Sequence, residues 1–232
     1  MFFHLIVTDD CNLCCSYCRA KMFVEEDPAG GSHGTIDETI AEMIEYPLED
    51  LYRFLAQDPD CVLTFIGGEP LLRSDLVMEI MDHAPVRRFM LQTNGTRLAE
   101  LPTAHVTRFE PILISIDGCR TLTDGHRGDG IYDTVLKTAA LIRERGYTGE
   151  LIARMTVAED TDIYAAVTHL AEHFTSIHWQ MDADFTGDYS HRRFAEWKEA
   201  YNDGIRCLVD AWVTRIETTG TVPKWYSFLS TT

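Results

Sequence analysis

The sequence predicts an α/β protein, arranged as a partial (β/α)6 TIM-like barrel with an added C-terminal amphipathic helix. Apolar runs of strand length alternate with longer segments of helical period along most of the chain. This alternation is typical of βαβ units on a parallel sheet. Six such repeats fit a partial or open barrel better than a closed eightfold one, and a doubly wound sheet is the alternative.

The individual elements follow from local patterns of apolar residues. We expect strands at residues 2–8, 62–66, 88–92, 111–116, 151–157 and 177–181. Helical periodicity covers residues 37–56, 72–82, 132–145 and 163–174. Pro47 should break or kink the first of these helices, because proline lacks an amide hydrogen and clashes with the preceding turn.

One long amphipathic helix is predicted after the sixth strand, at residues 191–217. Its apolar stripe, at alternating steps of three and four, consists of Phe194, Trp197, Tyr201, Ile205, Leu208, Trp212 and Ile216. Such a stripe favours a helix that covers the core or the barrel, and binding of a partner is the alternative.

Composition and charge limit the kinds of partner. The chain has 232 residues, is 45% hydrophobic and carries a net charge of −17. Nucleic acid is a poor partner for such a surface, since phosphate binding requires clustered cations. No apolar run approaches the ~18–20 residues that span a bilayer, and the run at residues 2–7 is too short for a signal peptide. We therefore expect a cytoplasmic protein with neither nucleic acid nor membrane as a partner.

Three cysteines near the N-terminus, Cys11, Cys15 and Cys18, stand in a C-x3-C-x2-C run with Tyr17 just before the last. Cysteines in a cytoplasmic chain indicate metal binding or buried thiols rather than disulfides. Three thiolates are one short of the four that usually hold an iron–sulfur cluster, so one iron would stay open to a small molecule. The alternative is a zinc site that adds Cys14, although adjacent cysteines have difficulty sharing one tetrahedral ion.

Polar residues follow the later strands. They are Gly67-Gly68-Glu69-Pro70, Thr93-Asn94-Gly95, Ser115-Ile116-Asp117-Gly118, Arg154 with Thr156, and Gln180 with Asp182 and Asp184. In α/β sheets and barrels, ligands bind at the carboxyl ends of the strands. The sequence therefore predicts one shared site at that edge.

The cysteine run, followed by Gly67-Gly68-Glu69-Pro70, resembles the radical S-adenosylmethionine (SAM) superfamily. Thr93-Asn94-Gly95 and Ser115-Ile116-Asp117-Gly118 resemble its branch of sulfatase maturases and peptide-modifying enzymes. The opening residues 2–21 look closest to an archaeal group regarded as peptide-modifying. On this resemblance, residues 1–187 form a radical SAM core domain. Residues 188–232 form a C-terminal helical extension, interpreted as the start of a truncated substrate or auxiliary region.

The resemblance also implies a ligand for each motif. Cys11, Cys15 and Cys18 would hold three irons of a [4Fe–4S] cluster, and the amino and carboxylate groups of SAM would chelate the fourth. The residues implied to contact SAM are Gly67, Gly68 and Glu69 at its amino group, Tyr17 at its adenine, Ser115 at its ribose or carboxylate, Arg127 at its carboxylate, and Asn94 and Asp117 nearby. Glycines allow close backbone approach, carboxylates and carbonyls accept hydrogen bonds from an amine, and the planar guanidinium of arginine pairs with a carboxylate.

Plain structural roles compete with several of these assignments. Gly67-Gly68 also suits a strand-to-helix turn opened by Pro70, while Asn94-Gly95 and Asp117-Gly118 are common turn pairs. Tyr17 could pack in the core, and Arg127 could lie on the surface of a glycine-rich turn.

The implied activity is reductive cleavage of SAM to methionine and a 5′-deoxyadenosyl radical, which abstracts hydrogen from a peptide or protein side chain. A flavodoxin- or ferredoxin-like donor would supply the electron. Asp182 and Asp184 are candidates for substrate contact or proton transfer. Relatives that modify peptides usually continue into a cysteine-rich region with auxiliary clusters, whereas here Cys207 is the one cysteine after Cys119. The alternative is therefore a shortened module, inactive or dependent on a partner, that binds cluster and SAM.

Overall fold

The computed structural model describes residues 1–18, 24–25, 35–36, 43–182, 190 and 192–227. The strands within these residues are β1 (Phe2–Ile6), β2 (Val24–Glu25), β3 (Thr35–Ile36), β4 (Val62–Ile66), β5 (Arg88–Thr93), β6 (Phe109–Ser115), β7 (Glu150–Val157), β8 (Ser176–Met181) and β9 (Lys224–Ser227). The helices are α1 (Leu48–Leu55), α2 (Ser74–His83), α3 (Thr103–Val106), α4 (Arg120–Arg127), α5 (Ile131–Glu144), α6 (Ile163–Leu170) and α7 (Arg192–Thr219).

A parallel sheet of seven strands organises the described part of the chain. Its order is β1-β4-β5-β6-β7-β8-β9, and every neighbouring pair is parallel. The strands β2 and β3 pair with each other as a small antiparallel ribbon. A doubly wound sheet reverses its strand order at a switch point, whereas this order follows the sequence without reversal. The predicted class, a partial TIM-like barrel, is therefore confirmed.

The C-terminal segment adds a strand to the predicted architecture. After α7, the chain returns to the sheet, and β9 pairs with β8 in parallel. The predicted stripe faces inward, since Trp197, Tyr201 and Ile205 pack against the core and Leu208 is buried. The helix is thus the crossover of a further β/α repeat and covers the sheet.

The first predicted helix is wrong in its N-terminal part. Met43 forms an isolated antiparallel bridge with Thr8, and α1 begins at Leu48, directly after Pro47. Proline is tolerated at a helix start, where its missing amide hydrogen would be unsatisfied anyway. The predicted residues 37–42 lie outside the described part of the chain.

The main core lies between the sheet and its helices. Three phenylalanines from successive strands meet there: the ring of Phe65 on β4 stacks on Phe89 of β5 and lies edge-on to Phe109 of β6. Helix α7 approaches α6 closely at Gly204, where an added Cβ would lie 2.5 Å from Cγ2 of Ile163. Among the described helices, none is long and apolar enough to cross a membrane.

Candidate functional site

The polar motifs meet at the carboxyl edge of the sheet, as the parallel strands require. The residues 11–18, which we call the cysteine loop, follow β1, and the glycine–glutamate run follows β4. Asn94 follows β5, while Ser115 ends β6 and Asp117 lies two residues beyond it. Loops at the carboxyl ends of parallel strands share one edge, and this one carries the candidate site.

The three thiols of the cysteine loop lie close enough to influence one another. Burial is the main cause that raises the pKa of Cys15, and Cys11 and Cys18 raise it further. Burial likewise raises the pKa of Cys11. Thiolates in such surroundings need positive charge to persist, and a bound iron–sulfur cluster supplies it.

The described side chains show no site for a single metal ion. Within the described residues, no three Cys, His, Asp or Glu side chains form a group that could hold one metal ion. The zinc alternative with Cys14 therefore has no support from the geometry. A four-iron cluster places its irons at separate corners, so its cysteines surround it rather than converge on one point.

Gly67 and Gly68 are required by close backbone packing. A Cβ on Gly67 would lie 2.2 Å from the carbonyl oxygen of Thr8, and one on Gly68 would lie 2.3 Å from those of Asp9 and Asp10. The amide of Gly68 donates to the Thr8 carbonyl at 2.8 Å. Gly67 also has φ of 142°, in the region that favours glycine. These glycines let the end of β4 lie directly against the chain entering the cysteine loop.

Glu69 joins the ends of β4 and β5. Its carboxylate is fully buried, and Oε1 accepts hydrogen bonds from the Leu71 amide at 3.0 Å and the Thr93 hydroxyl at 2.8 Å. Oε2 accepts one from the Asn94 amide at 2.7 Å. Burial raises the pKa of Glu69, and these three hydrogen bonds oppose that rise. The carboxylate thus fixes the backbone beside the cysteine loop.

Asn94 holds the first part of the cysteine loop. Its Nδ2 donates to Asn12 Oδ1 at 2.9 Å and lies 3.7 Å from Cys11 Sγ. Asn12 in turn donates to Thr96 Oγ1 at 2.9 Å. The amide side chains therefore tie Cys11 to the turn after β5.

Asp117 holds the second part of the cysteine loop. The guanidinium of Arg127 donates to both of its oxygens, through Nε at 2.8 Å and Nη2 at 2.9 Å. The Tyr17 hydroxyl donates to Oδ2 at 2.8 Å, and the Thr156 amide donates to Oδ1 at 2.9 Å. Burial alone would raise the pKa of Asp117, but the charge of Arg127, the nearby His126 ring and hydrogen bonds from Arg127 and the Thr156 amide lower it to about 2. The carboxylate is therefore ionised at neutral pH.

Arg127 is buried and paired with Asp117. The sequence suggested an arginine facing the carboxylate of SAM, or a surface residue; the side chain is buried and forms a bidentate pair with Asp117, so the surface alternative is wrong. The reason is α4, a helix that sequence periodicity missed. It ends at Arg127 and brings the guanidinium beneath the end of β6.

Arg154 is a second cation at this edge. It lies on β7 in register with Ser115 of β6 and His178 of β8. Among the described residues, none forms a hydrogen bond or ion pair with its guanidinium; burial and the charge of Arg127 lower its pKa to about 10. The sequence placed Arg154 near the shared site but assigned it no role. Its signal was the one basic residue in a largely apolar strand.

Of the two aspartates predicted to contact substrate, one lies in the described part of the chain. Asp182 follows β8, where its amide donates to the Val157 carbonyl at 2.8 Å. Asp184 lies among residues 183–189, outside the described part of the chain. The sequence missed His126, whose Nδ1 lies 3.4 Å from Asp117 and whose Nε2 lies 3.0 Å from Asp160.

Comparison with known protein families adds independent evidence. Residues 5–165 match the model of the radical SAM superfamily. Pre-heme d1 synthase of Dinoroseobacter shibae is 32% identical over 160 residues, which cover 67% of this chain and 36% of that protein. GTP 3′,8-cyclase of Synechococcus elongatus is 34% identical over 149 residues, covering 60% of this chain and 42% of that protein.

Solved structures share the fold at lower sequence identity. Native anSMEcpe with bound AdoMet aligns with 97% of this chain and 63% of its own, at a TM-score of 0.68 and 18% identity. Streptococcus suis SuiB bound to its precursor peptide SuiA aligns with 97% of this chain and 48% of its own, at a TM-score of 0.62 and 15% identity. The matched region spans about a third of the pre-heme d1 synthase and two fifths of the cyclase.

Proposed function

The chain belongs to the radical SAM superfamily, and we propose that it cleaves SAM reductively and directs the resulting radical at a peptide or protein side chain. The observation that carries the proposal is the cysteine loop. Its three interacting thiols are fixed against the ends of β4, β5 and β6 by Gly68, Asn94 and Asp117.

Cys11, Cys15 and Cys18 would hold a [4Fe–4S] cluster. When bound, the cluster would supply the electron that cleaves SAM to methionine and a 5′-deoxyadenosyl radical. A flavodoxin- or ferredoxin-like protein would donate that electron to the cluster. The protein contributes the position of the loop, partial burial of Cys15, and the charge of Arg127, which lowers the pKa of Cys15 against the effect of burial.

The glycine–glutamate run would receive the amino group of SAM. Backbone carbonyls at Gly67 and Gly68 accept hydrogen bonds from an ammonium group, and the missing side chains let a ligand come close. Glu69 Oε2 accepts one described hydrogen bond, from Asn94, and a carboxylate oxygen has two acceptor positions. The negative charge of Glu69 would also favour a cationic ligand there.

Arg154 rather than Arg127 would pair with the carboxylate of SAM. Arg127 has its Nε and Nη2 committed to Asp117, while no described residue bonds the guanidinium of Arg154. Ser115 is its neighbour in register on β6, so a hydroxyl and a guanidinium stand side by side. This pair matches the donors that a carboxylate prefers.

The substrate is proposed as a chemical class, with two further candidates beside it. The fold shared with SuiB in its peptide complex supports a peptide, and Asp182 after β8 stays our candidate for contact with it, together with Asp184. The two sequence relatives quoted above carry names of heme and nucleotide chemistry, which favours a small-molecule substrate as the second candidate. A shortened module that needs a partner is the third, since the matched region is part of each relative's length.

Anaerobic reconstitution with iron and sulfide, followed by dithionite and SAM, tests the chemistry. We expect a brown protein that releases 5′-deoxyadenosine. Cys15→Ala should abolish both, whereas Cys14→Ala should keep both and is the matched control. A colourless protein with one bound zinc, or loss of the cluster on Cys14→Ala, would contradict the proposed ligand set. Cluster formation without 5′-deoxyadenosine would favour the module.

The substrate class is tested by measuring whether deuterium from a labelled candidate substrate appears in the 5′-deoxyadenosine that is released. Synthetic peptides, nucleoside triphosphates and tetrapyrroles, each with exchange-resistant deuterium, would be compared. Deuterium in 5′-deoxyadenosine from the peptide pool supports the proposal. Transfer from a nucleotide or tetrapyrrole pool instead would replace it.

A further inference from the structure

We infer that Asp117 is a positioning residue, which holds the cysteine loop in the conformation that binds the cluster, and that it does not contact the cofactor. The inference rests on the proposed function for the identity of the bound group. The ordering of the loop, however, can be measured on protein prepared without metal and is tested separately below.

The carboxylate of Asp117 has no acceptor capacity left for a ligand. The side chain is fully buried. An ionised carboxylate offers about four acceptor positions. Two donors from Arg127, the Tyr17 hydroxyl and the Thr156 amide occupy them, all between 2.8 and 2.9 Å, and His126 Nδ1 lies 3.4 Å from Oδ2. A ligand would have to displace one of these groups.

Tyr17 connects Asp117 to the part of the cysteine loop that carries Cys15 and Cys18. It lies between Cys15 and Cys18 in sequence, and its hydroxyl reaches a carboxylate one hundred residues away. Its ring lies edge-on to the His126 ring at 5.3 Å, with the guanidinium of Arg127 5.5 Å from the ring centroid. The tyrosine is thus held by a hydrogen bond at its tip and by two cationic or polar side chains at its ring.

A backbone hydrogen bond holds the same part of the loop. The Ser16 amide donates to the His126 carbonyl at 2.8 Å, and the Cys18 amide donates to the Cys15 carbonyl at 2.9 Å. The Ser16 amide is therefore protected when the loop is docked on α4, and the Cys18 amide is protected when the turn that begins at Cys15 is formed. They provide a direct measure of docking that requires no cluster.

The geometry also selects informative variants. Asp117→Asn keeps the shape but turns one acceptor into a donor, which then faces Arg127, Tyr17 or Thr156 donors. Tyr17→Phe removes one hydroxyl and leaves the Asp117–Arg127 pair intact. Asp160→Asn is the matched control, because Asp160 touches His126 on the side away from Asp117 and is itself half exposed.

Hydrogen exchange of the metal-free proteins is the first measurement. Tyr17→Phe and Asp117→Asn should speed exchange at the Ser16 and Cys18 amides by about tenfold or more, which is the effect of losing a hydrogen bond to a charged group. Asp160→Asn should leave these amides within about twofold of the unsubstituted protein. Amides in β5 and α5 report global stability and should not change in Tyr17→Phe.

Cluster retention is the second measurement. After reconstitution, Tyr17→Phe and Asp117→Asn should lose iron to a chelator about tenfold faster than the unsubstituted protein. SAM should still alter the electron paramagnetic resonance spectrum of whatever cluster remains, since Asp117 does not contact SAM. Asp160→Asn should retain iron normally.

Each outcome decides the inference. Unchanged exchange at Ser16 and Cys18 in Tyr17→Phe would overturn it, as would a rise spread evenly over the whole protein. A spectrum that ignores SAM in Asp117→Asn would show a direct cofactor role for Asp117 and overturn it as well. If the unsubstituted protein takes up no iron, the proposed function fails, while the exchange data still decide whether Asp117 orders the loop.

Discussion

The carboxylate of Glu69 accepts a 2.7 Å hydrogen bond from the backbone amide of Asn94, so the end of β4 is locked to the end of β5 by a buried charge. Asn94 then reaches Cys11 through its side chain. A residue that sequence motifs associate with a ligand is therefore also part of the framework that places the first thiol.

Glu69→Gln should weaken this framework. The amide nitrogen of glutamine would face the Asn94 amide or the donors Leu71 and Thr93, so at least one buried hydrogen bond is lost. We expect the free energy of unfolding to fall by about 1–3 kcal/mol, measured by urea denaturation of the metal-free protein. Glu100→Gln, at an exposed pair with Arg97, should leave the midpoint near the unsubstituted value. Equal effects of the two substitutions would contradict the role of Glu69.

Gly68→Ala should be more damaging than a change of one methyl group usually is. The new Cβ would lie 2.3 Å from two backbone oxygens, which cannot move without shifting the entry to the cysteine loop. We expect a loss of about 1–3 kcal/mol. Gly125→Ala is the matched control, because nothing lies within 4 Å of the added carbon in α4. It should be neutral or stabilising by up to about 1 kcal/mol, and a stable Gly68→Ala protein would refute the packing argument.

Arg154→Ala and Arg127→Ala should fail in different ways. Removing Arg127 leaves Asp117 charged and buried without its ion-pair partner, which costs about 3–5 kcal/mol, so the metal-free protein should melt at a much lower temperature. Removing Arg154 breaks no described hydrogen bond. That protein should stay folded and bind SAM about tenfold or more weakly after reconstitution, as measured by equilibrium dialysis. Unchanged SAM affinity would exclude Arg154 from the site.

His126 should make stability depend on pH. Asp117, whose Oδ2 lies 3.4 Å from Nδ1, and the charge of Asp160 raise the pKa of His126 above the ordinary value of 6.5 even though burial opposes this. A group whose pKa is raised on folding stabilises the folded protein. This stabilisation is complete below the pKa of the group in the unfolded chain, and it is lost as the pH rises through the pKa in the folded protein. The stability difference between the unsubstituted protein and His126→Gln should therefore be largest below pH 6.5 and shrink above it.

Urea denaturation at a series of pH values measures this difference. Asp160→Asn removes one of the two carboxylates and should reduce the pH dependence without removing it, since Asp117 still lies 3.4 Å from Nδ1. A difference that grows with rising pH would have the wrong sign for this account.

The fold was largely predictable because the strands and most helices carry strong apolar patterns. The sheet edge that holds the site followed from the same patterns, since parallel strands must end together. Strand β9 was missed because its four residues, Lys224–Ser227, have no apolar run of their own. They join the sheet by pairing with β8, a long-range contact that local periodicity does not contain.

The hydrogen bonds between side chains of the site were less predictable than its location. The sequence identified Tyr17, Asp117 and Arg127 as candidates but assigned each of them to SAM. Their mutual hydrogen bonds depend on α4, whose polar sequence around Gly125 has no apolar period to reveal a helix. Motif spacing indicates which residues gather at an edge, whereas side-chain partners are set by distances that spacing does not encode.

The position of β9 has a practical consequence for anyone shortening this chain. A protein cut after β8 would lose more than a covering helix, because the amides and carbonyls of β8 that β9 now pairs would become a bare border of the sheet. Unpaired borders recruit strands from other molecules and seed aggregation. The C-terminal β/α repeat thus replaces the six-residue edge of β8 with the four-residue edge of β9, and shorter edge strands recruit other molecules less readily.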